Sequence, residues 1–154
     1  MSFRAPIPLE TTMEVDAVDT GWVLVAGDTV IMDAVPRAEV LDDGTGRFAT
    51  DWTPPAWIAD ETGRVDDAAI WTALDCSQGF YVSRHPADVR PAVTVRYAVE
   101  VIGEVWAGEH YAVVAFEGRW SRGWDGRKKG AGACLFDESG ELVARSDSLW
   151  VAHG

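Results

Sequence analysis

One carboxylate in an apolar stretch is the residue of this chain best placed to do chemistry. Asp75 is the only charged residue of "WTALDCSQGFYV", which runs from Trp71 to Val82. A buried carboxylate costs free energy unless a partner stabilises it. Burial would raise its pKa and a neighbouring donor would lower it. The position therefore predicts either a functional acid or a structural acid held by strand amides, an arginine or Thr72.

Helical spacing gives Asp75 two neighbours on the same face. Trp71 lies one turn before it and Gly79 one turn after it. Glycine has no side chain, so Gly79 would let a ligand or another backbone come close. We therefore include Trp71 and Gly79 as candidate substrate-binding residues beside Asp75.

Other polar residues near this stretch each have two interpretations. Gln78 and Ser77 could orient a water molecule, or they could face solvent late in a helix. His85 could be a general base, or it could end the helix and contact its carbonyls. Cys76 has no electropositive surroundings and is expected to pack in the core. The histidines lack metal-ligand spacing, so no metal site is expected.

A cluster of basic residues interrupts an otherwise acidic chain. Five of the 13 lysines and arginines fall within eleven positions. Arginine and lysine are natural partners of phosphate groups. The cluster is therefore either a phosphate-binding surface or the solvated tip of a hairpin; its members are Arg119, Arg122, Arg127, Lys128 and Lys129.

The segment that carries Asp75 is the best helix candidate. Asp66 can cap its start, and Val65 and Ile70 occupy the positions of a hydrophobic staple. The helix is expected to end before Pro86. Apolar side chains lie nearly all round it between residues 68 and 76, which is typical of a helix inside a protein.

The rest of the chain has the patterns of antiparallel strands. Weak hairpin signals occur around Gly27-Asp28 and Asp43-Gly44. Four strand-like segments follow the helix. The first, "PAVTVRYAVEVI", alternates strictly, which predicts Val93, Val95, Tyr97, Val99 and Val101 on one face. Glycines in "GRKKGAGACLF" indicate close approach by a neighbour.

These elements predict an α+β domain rather than a doubly wound fold, which needs alternating units. The simplest arrangement wraps a curved antiparallel sheet around one long central helix. A different α+β roll, or a barrel with one covering helix, fits the same pattern. We expect a single domain over 1–154, with residues 1–45 as an N-terminal extension and 46–152 as the core.

Composition narrows the classes of function. The 154-residue chain has a formal net charge of −12 and is 47% hydrophobic with 8 tryptophans, so it is expected to fold and not to bind nucleic acid or anionic membranes. Cys76 and Cys134 are 58 positions apart, without the spacing of a disulfide framework. No signal segment is evident, and we expect a cytoplasmic protein.

From about Arg47 to Val151, the chain resembles the hotdog-fold acyl-CoA thioesterase superfamily. The resemblance is carried by "GRVDDAAIWTALDCSQG", by "RPAVTVRYAVEVI" and by the following "AGEHYAVVAF…DGRKKGAGACLFDESGELVARSDSLWV". It is most similar to a bacterial branch with A-L-D-C-x-x-G in the central helix. The resemblance implies a homodimer or a dimer of dimers, with acyl chains bound beside the helix at the subunit interface.

The resemblance also implies roles for the candidate residues. Asp75 would activate water or attack the thioester carbonyl, and coenzyme A would be part of the substrate rather than a cofactor. The basic residues would hold its phosphates. From the residues themselves, Gln78 and Ser77 are the helper candidates and His85 is a candidate general base.

Many relatives begin the helix with a histidine-glycine-glycine-like motif, whereas this chain has "ETGRVDDAA". Asp66 and Asp67 would oppose negative charge there, where a backbone amide could otherwise stabilise an oxyanion.

Three functions remain open from the sequence. The first is hydrolysis of an acyl-CoA or acyl-carrier thioester. The second is binding of an acyl or other apolar ligand without cleavage. The third is hydration or dehydration of an acyl thioester, for which a carboxylate-histidine pair such as Asp75 with His85 would be expected.

Overall fold

The structure is a computed structural model that describes residues 24–26, 29–31, 39–41, 44–121 and 126–154. The expected N-terminal arm and Arg122 lie outside these residues. The described elements, in chain order, are β1 (Leu24–Ala26), β2 (Thr29–Ile31), β3 (Glu39–Val40), β4 (Phe48–Trp52), a 3₁₀ turn (Ala56–Ile58), α1 (Asp67–Arg84), β5 (Ala92–Val101), β6 (Tyr111–Glu117), β7 (Lys128–Asp137) and β8 (Leu142–Ala152). Within this part of the chain, no helix is long and apolar enough to cross a membrane.

The predicted helix is confirmed with its signals. The Asp66 carboxylate caps α1 by accepting the Ala68 amide at 2.7 Å. Val65 and Ile70, the predicted staple, are both buried. The helix ends at Arg84, and His85 is the C-cap, one residue before Pro86. A side-chain cap and a buried staple thus mark the start of the helix that carries Asp75, and the following proline marks its end.

The sheet confirms the predicted fold class. Six described strands form one antiparallel sheet in the order β3-β4-β6-β7-β8-β5, which curves around α1, while β1 and β2 form a separate hairpin. Both N-terminal hairpin predictions hold, because β1 pairs with β2 and β3 pairs with β4. The extension boundary at residue 45 and the single-domain organisation stay predictions. The core lies between the inner face of the sheet and α1.

The strict alternation predicted for β5 is wrong at its start. Thr94 pairs with Trp150 and Arg96 with Leu149, so Val95 is an extra residue in a β-bulge. A bulge changes which side chains face the core. Val93 and Val95 are about half exposed, and Thr94 faces the helix instead. Tyr97, Val99 and Val101 pack against the core as predicted.

The glycines of β7 confirm the predicted close approach. A Cβ on Gly130 would meet the backbone carbonyl carbon of Trp120 at 2.6 Å, and one on Gly132 would meet the Phe116 ring at 2.5 Å. The chain after β6 can therefore cross closely over the outer face of the sheet, which is the face opposite α1.

Candidate functional site

The strongest candidate site lies where α1 passes the edge strand β5. The Asp75 side chain is partly buried there, and burial raises the pKa of its carboxyl group. The Thr94 hydroxyl donates a hydrogen bond to it, which opposes the rise. A partly desolvated carboxylate with one hydrogen-bond donor is a better proton acceptor than an ordinary surface aspartate.

Tyr97 fixes the helical turn that leads to Asp75. Its hydroxyl donates to the Trp71 carbonyl oxygen at 2.6 Å, and the two rings meet edge to face with centroids 5.5 Å apart. Burial and the Asp75 charge raise the pKa of the Tyr97 phenol, so it remains a donor at neutral pH. Trp71 is 42% exposed, and its indole borders the open side of the helix at Asp75.

Sequence reasoning did not identify Thr94 or the contact of Tyr97 with α1. Strict alternation placed Thr94 on the wrong face, because it gave no signal for the bulge at Val95. Tyr97 was placed on the correct face, but a repeating strand pattern does not specify which helical turn its hydroxyl reaches.

Gly79 allows close approach by another residue, as predicted for a glycine, and that residue is Trp150. A Cβ added to Gly79 would meet the Trp150 ring at 3.4 Å. The missing side chain therefore allows β8 to pack closely on α1. Its role toward a ligand stays a prediction.

Gln78 and Ser77 are fully buried rather than solvent-facing. The Gln78 amide donates to Ser146 and accepts from Ser148, both on β8, and Ser77 donates to the Ala73 carbonyl at 2.9 Å. Because these contacts lie inside the core, they give Gln78 a structural role. Both ends of its amide are already bonded to serines, so Gln78 is not placed to orient water at Asp75.

His85 lies too far along the helix to pair with Asp75 in the same chain. Ten residues at 1.5 Å rise place the two about 15 Å apart. His85 accepts the Ala87 amide at 3.2 Å, and burial lowers the pKa of its imidazole. The helix-ending interpretation is confirmed by its C-cap position. The carboxylate-histidine pair expected of a hydratase is therefore not formed within one chain.

Lys129 is an internal residue rather than a member of a surface cluster. It is 1% exposed, and its ammonium donates to the carbonyl oxygens of Val82, Asp88 and Arg90 at 3.1–3.2 Å. It also forms a salt bridge with the Asp88 carboxylate at 3.2 Å. These partners hold the ammonium inside the protein, where a phosphate group cannot reach it.

The other described basic candidates lie in two different environments. The Arg119 guanidinium forms a salt bridge with Asp147 at 2.8 Å on the outer face of the sheet. Arg127 is exposed and donates to the Ala152 carbonyl at 3.2 Å, and Lys128 is exposed beside it. Arg127 and Lys128 are therefore the candidates that keep a surface position for a phosphate.

The start of α1 carries the two aspartates that the sequence has in place of a histidine-glycine-glycine-like motif. Asp66 and Asp67 are both exposed there, and the Asp66 carboxylate holds the Ala68 amide. Asp67 lies 3.3 Å from the Arg64 guanidinium. An oxyanion at this end of the helix would have to compete with the Asp66 carboxylate for the Ala68 N–H.

Metal and thiol chemistry receive no support from the described residues. No group of three histidine, cysteine or acidic side chains there could hold a metal ion. Both cysteines are free thiols. Burial and the Asp75 charge raise the pKa of the Cys76 thiol to about 11, so it remains protonated at neutral pH. Cys76 is only partly buried and belongs to neither core cluster, so its expected core packing is not confirmed. Asp75 stays the candidate reactive group of the site, and its role is a prediction.

The fold is the hotdog fold, which this chain shares with solved structures that include named thioesterases. Thioesterase superfamily member 2 from zebrafish has a TM-score of 0.62 at 16% identity, covering 75% of this chain and 81% of its own. PaaI from the E. coli phenylacetic acid degradation operon has a TM-score of 0.62 at 10% identity, with coverages of 76% and 80%.

A third similar structure contains a ligand. The protein smu.793 from Streptococcus mutans was solved bound to acetyl-CoA and has a TM-score of 0.62 at 14% identity, covering 77% of this chain and 90% of its own. No protein-family model and no curated protein matches the sequence. The similarities therefore confirm the predicted fold.

Proposed function

We propose that this protein hydrolyses an acyl-CoA or acyl-carrier thioester, with Asp75 as the reactive carboxylate. The observation that carries the proposal is the partly buried Asp75 where α1 passes β5, with a raised pKa and Thr94 as its hydrogen-bond donor. The fold and the acetyl-CoA bound to one similar protein support this class of substrate.

The proposed reaction uses Asp75 as a general base. It accepts a proton from water while the water oxygen attacks the thioester carbonyl carbon. The tetrahedral intermediate then expels the thiolate, which takes the proton from Asp75, leaving a carboxylic acid and a free thiol. Direct attack by Asp75 is the covalent version, in which water hydrolyses an acyl-aspartate intermediate.

A second copy of the chain is expected to complete the pocket. Among the described strands, β5 pairs only with β8, so its other edge presents unpaired backbone groups. Val93, Val95 and Trp71 expose apolar surface beside that edge. Pairing of β5 with β5 of a second copy would cover this surface and enclose the space beside Asp75. Arg127 and Lys128 are the proposed contacts for the coenzyme A phosphates.

Ligand binding without cleavage is the second candidate function. The observation that favours it is the Asp66 carboxylate, which occupies the Ala68 amide at the helix start. If no amide there can stabilise an oxyanion, an acyl thioester would be held beside Asp75 but not hydrolysed.

The first prediction separates these functions. The parent protein, Asp75→Asn and the exposed-strand control Asp51→Asn are incubated with short, medium, long and aromatic acyl-CoAs while free thiol is followed. We expect turnover in the parent and in Asp51→Asn, and a loss of at least about 100-fold in Asp75→Asn, as is typical for removal of a general base.

Two other results are informative. Acyl-CoA binding by calorimetry without thiol release would support the binding protein instead. Thiol release that is unchanged in Asp75→Asn would remove this residue from the mechanism.

A further inference from the structure

A pocket lies on the outer face of the sheet, on the side away from α1 and Asp75. Ser146 and Ser148 reach Gln78 on the helix, so Asp147 between them points outward. The outer-face pocket has a volume of about 190 Å³. It is lined on that face by Arg96, Ala98, Glu100, Trp120, Arg145 and Asp147.

Asp147 contributes a buried carboxylate oxygen to this pocket. The side chain is 6% exposed, and its Oδ2 receives the Arg119 guanidinium at 2.8 Å. Its Oδ1 has no hydrogen-bond partner among the described residues. A buried acceptor without a donor has lost its hydrogen bonds to water without replacement, which costs free energy. A ligand that enters the pocket and supplies an N–H to this atom, once the carboxylate rotates Oδ1 toward the pocket, would recover that free energy.

The residues around Asp147 leave room for a ring. Its cross-strand neighbours are Ala98 on β5 and Gly132 on β7, and both are small. The Phe116 ring covers the Gly132 side, so the space opens over Ala98. Trp120 forms a wall there, with the Arg96 guanidinium stacked 4.6 Å from its ring centre. Although four of the lining residues are charged, most of the surface that faces the pocket is apolar, which suits an aromatic body.

Charge favours a neutral ligand. Three arginines, at 96, 119 and 145, face two carboxylates, Glu100 and Asp147, and Arg145 and Glu100 form a salt bridge with each other. The resulting net positive charge disfavours a cation, while an anion would place negative charge against the Asp147 oxygen. The volume is also below the roughly 300–1,000 Å³ of sites for drug-sized ligands, which limits the ligand to one or two rings.

We propose that the outer-face pocket is a second ligand site, for a small neutral aromatic molecule that donates an N–H hydrogen bond to Asp147. The site is independent of the thioester pocket, because the sheet separates it from Asp75. It holds its ligand without a chemical step.

Indole and 1-methylindole test the proposal, since they share a ring system and differ in the N–H donor. Each is titrated into the ¹⁵N-labelled full chain and followed by NMR. We expect indole to shift the signals of Ala98, Trp120 and Asp147 saturably, and 1-methylindole to bind about tenfold more weakly. Equal affinity for the two probes, or no saturable shift at these residues, would overturn the proposal.

Variants then locate the contact. Asp147→Asn can turn its amide N–H₂ toward the pocket, so it should lose the preference for indole. Ala98→Leu, at an exposed strand position, should block both probes by filling the space without touching Asp147. Asp75→Asn should leave the indole titration unchanged, which distinguishes this site from the proposed thioester site. An indole titration that Ala98→Leu leaves intact contradicts the assignment.

Discussion

Asp75 and Gln78 show how similar polar residues on one helix acquire different chemistry. Gln78 is enclosed, and serines of β8 bond both ends of its amide. Asp75, about one turn earlier, reaches the edge of the sheet and has the Thr94 hydroxyl as its donor. A group enclosed by fixed partners stabilises packing, whereas a partly exposed acid can still meet solvent or a ligand.

The second prediction concerns the effect of Asp75 on stability. Burial raises its folded-state pKa above the ordinary value of about 3.9. The folded chain therefore holds a proton that the unfolded chain has already released. Stability is lost as pH rises from about 3.9 through the raised pKa, and the loss persists at neutral pH. Asp75→Asn should thus be more stable than the parent at pH 7.

Urea unfolding at several pH values measures this difference. The advantage of Asp75→Asn should shrink toward zero as pH falls to about 3.9, and Asp51→Asn controls for the same chemical change at an exposed position. An Asp75→Asn protein that is less stable than the parent at pH 7 would show that partners stabilise the carboxylate, which is the structural interpretation.

At the scale of elements, the end of α1 is tied to the sheet by a buried lysine. The Lys129 ammonium on β7 binds the Val82 carbonyl in the last turn of α1 and the Asp88 and Arg90 carbonyls in the connection to β5. Arg90 in turn donates to Asp88 and to the Gly126 carbonyl. This cluster fixes how the chain leaves the helix and enters the strand that carries Thr94.

The third prediction uses two adjacent lysines. Lys129→Met removes the buried ammonium and leaves Asp88 and three carbonyls without it, so we expect a loss of about 3–5 kcal/mol in the free energy of unfolding. Lys128→Met, at an exposed position on the same strand, should change it by no more than about 0.5 kcal/mol. Equal effects in denaturant titrations would contradict the structural role of Lys129.

Local sequence signals predicted the helix and strands better than they predicted the contacts between them. Capping at Asp66, the staple and the glycines of β7 act over a few residues, so they could be identified in the sequence. The position of Lys129 depends on contacts with residues 39–47 positions away, and no local pattern distinguishes it from Lys128. The bulge at Val95 also arises from pairing with β8, which the strand pattern does not encode.

At the scale of the whole molecule, the exposed edge of β5 makes assembly part of the proposed function. The fourth prediction is that Val95→Arg, which places a charge at this edge, converts a dimer to monomers and lowers thiol release with it. Val40→Arg, at the opposite edge of the sheet, is the matched control, since Val40 is 51% and Val95 is 55% exposed.

Analytical ultracentrifugation of the two variants and the parent measures the assembly. A parent that sediments as a monomer at concentrations where it hydrolyses thioesters would contradict the shared pocket. A dimer that survives Val95→Arg but not Val40→Arg would place the interface at the other edge.

The proposed hydrolysis depends most on an acyl group lying against Asp75, and NMR tests that placement directly. An acyl-CoA analogue with a methylene group in place of the thioester sulfur resists hydrolysis and can be titrated into protein with ¹³C-labelled aspartate. Saturation should shift the Asp75 carboxyl signal strongly and leave that of Asp51 in place. Binding of the analogue with no change at Asp75 would contradict the account.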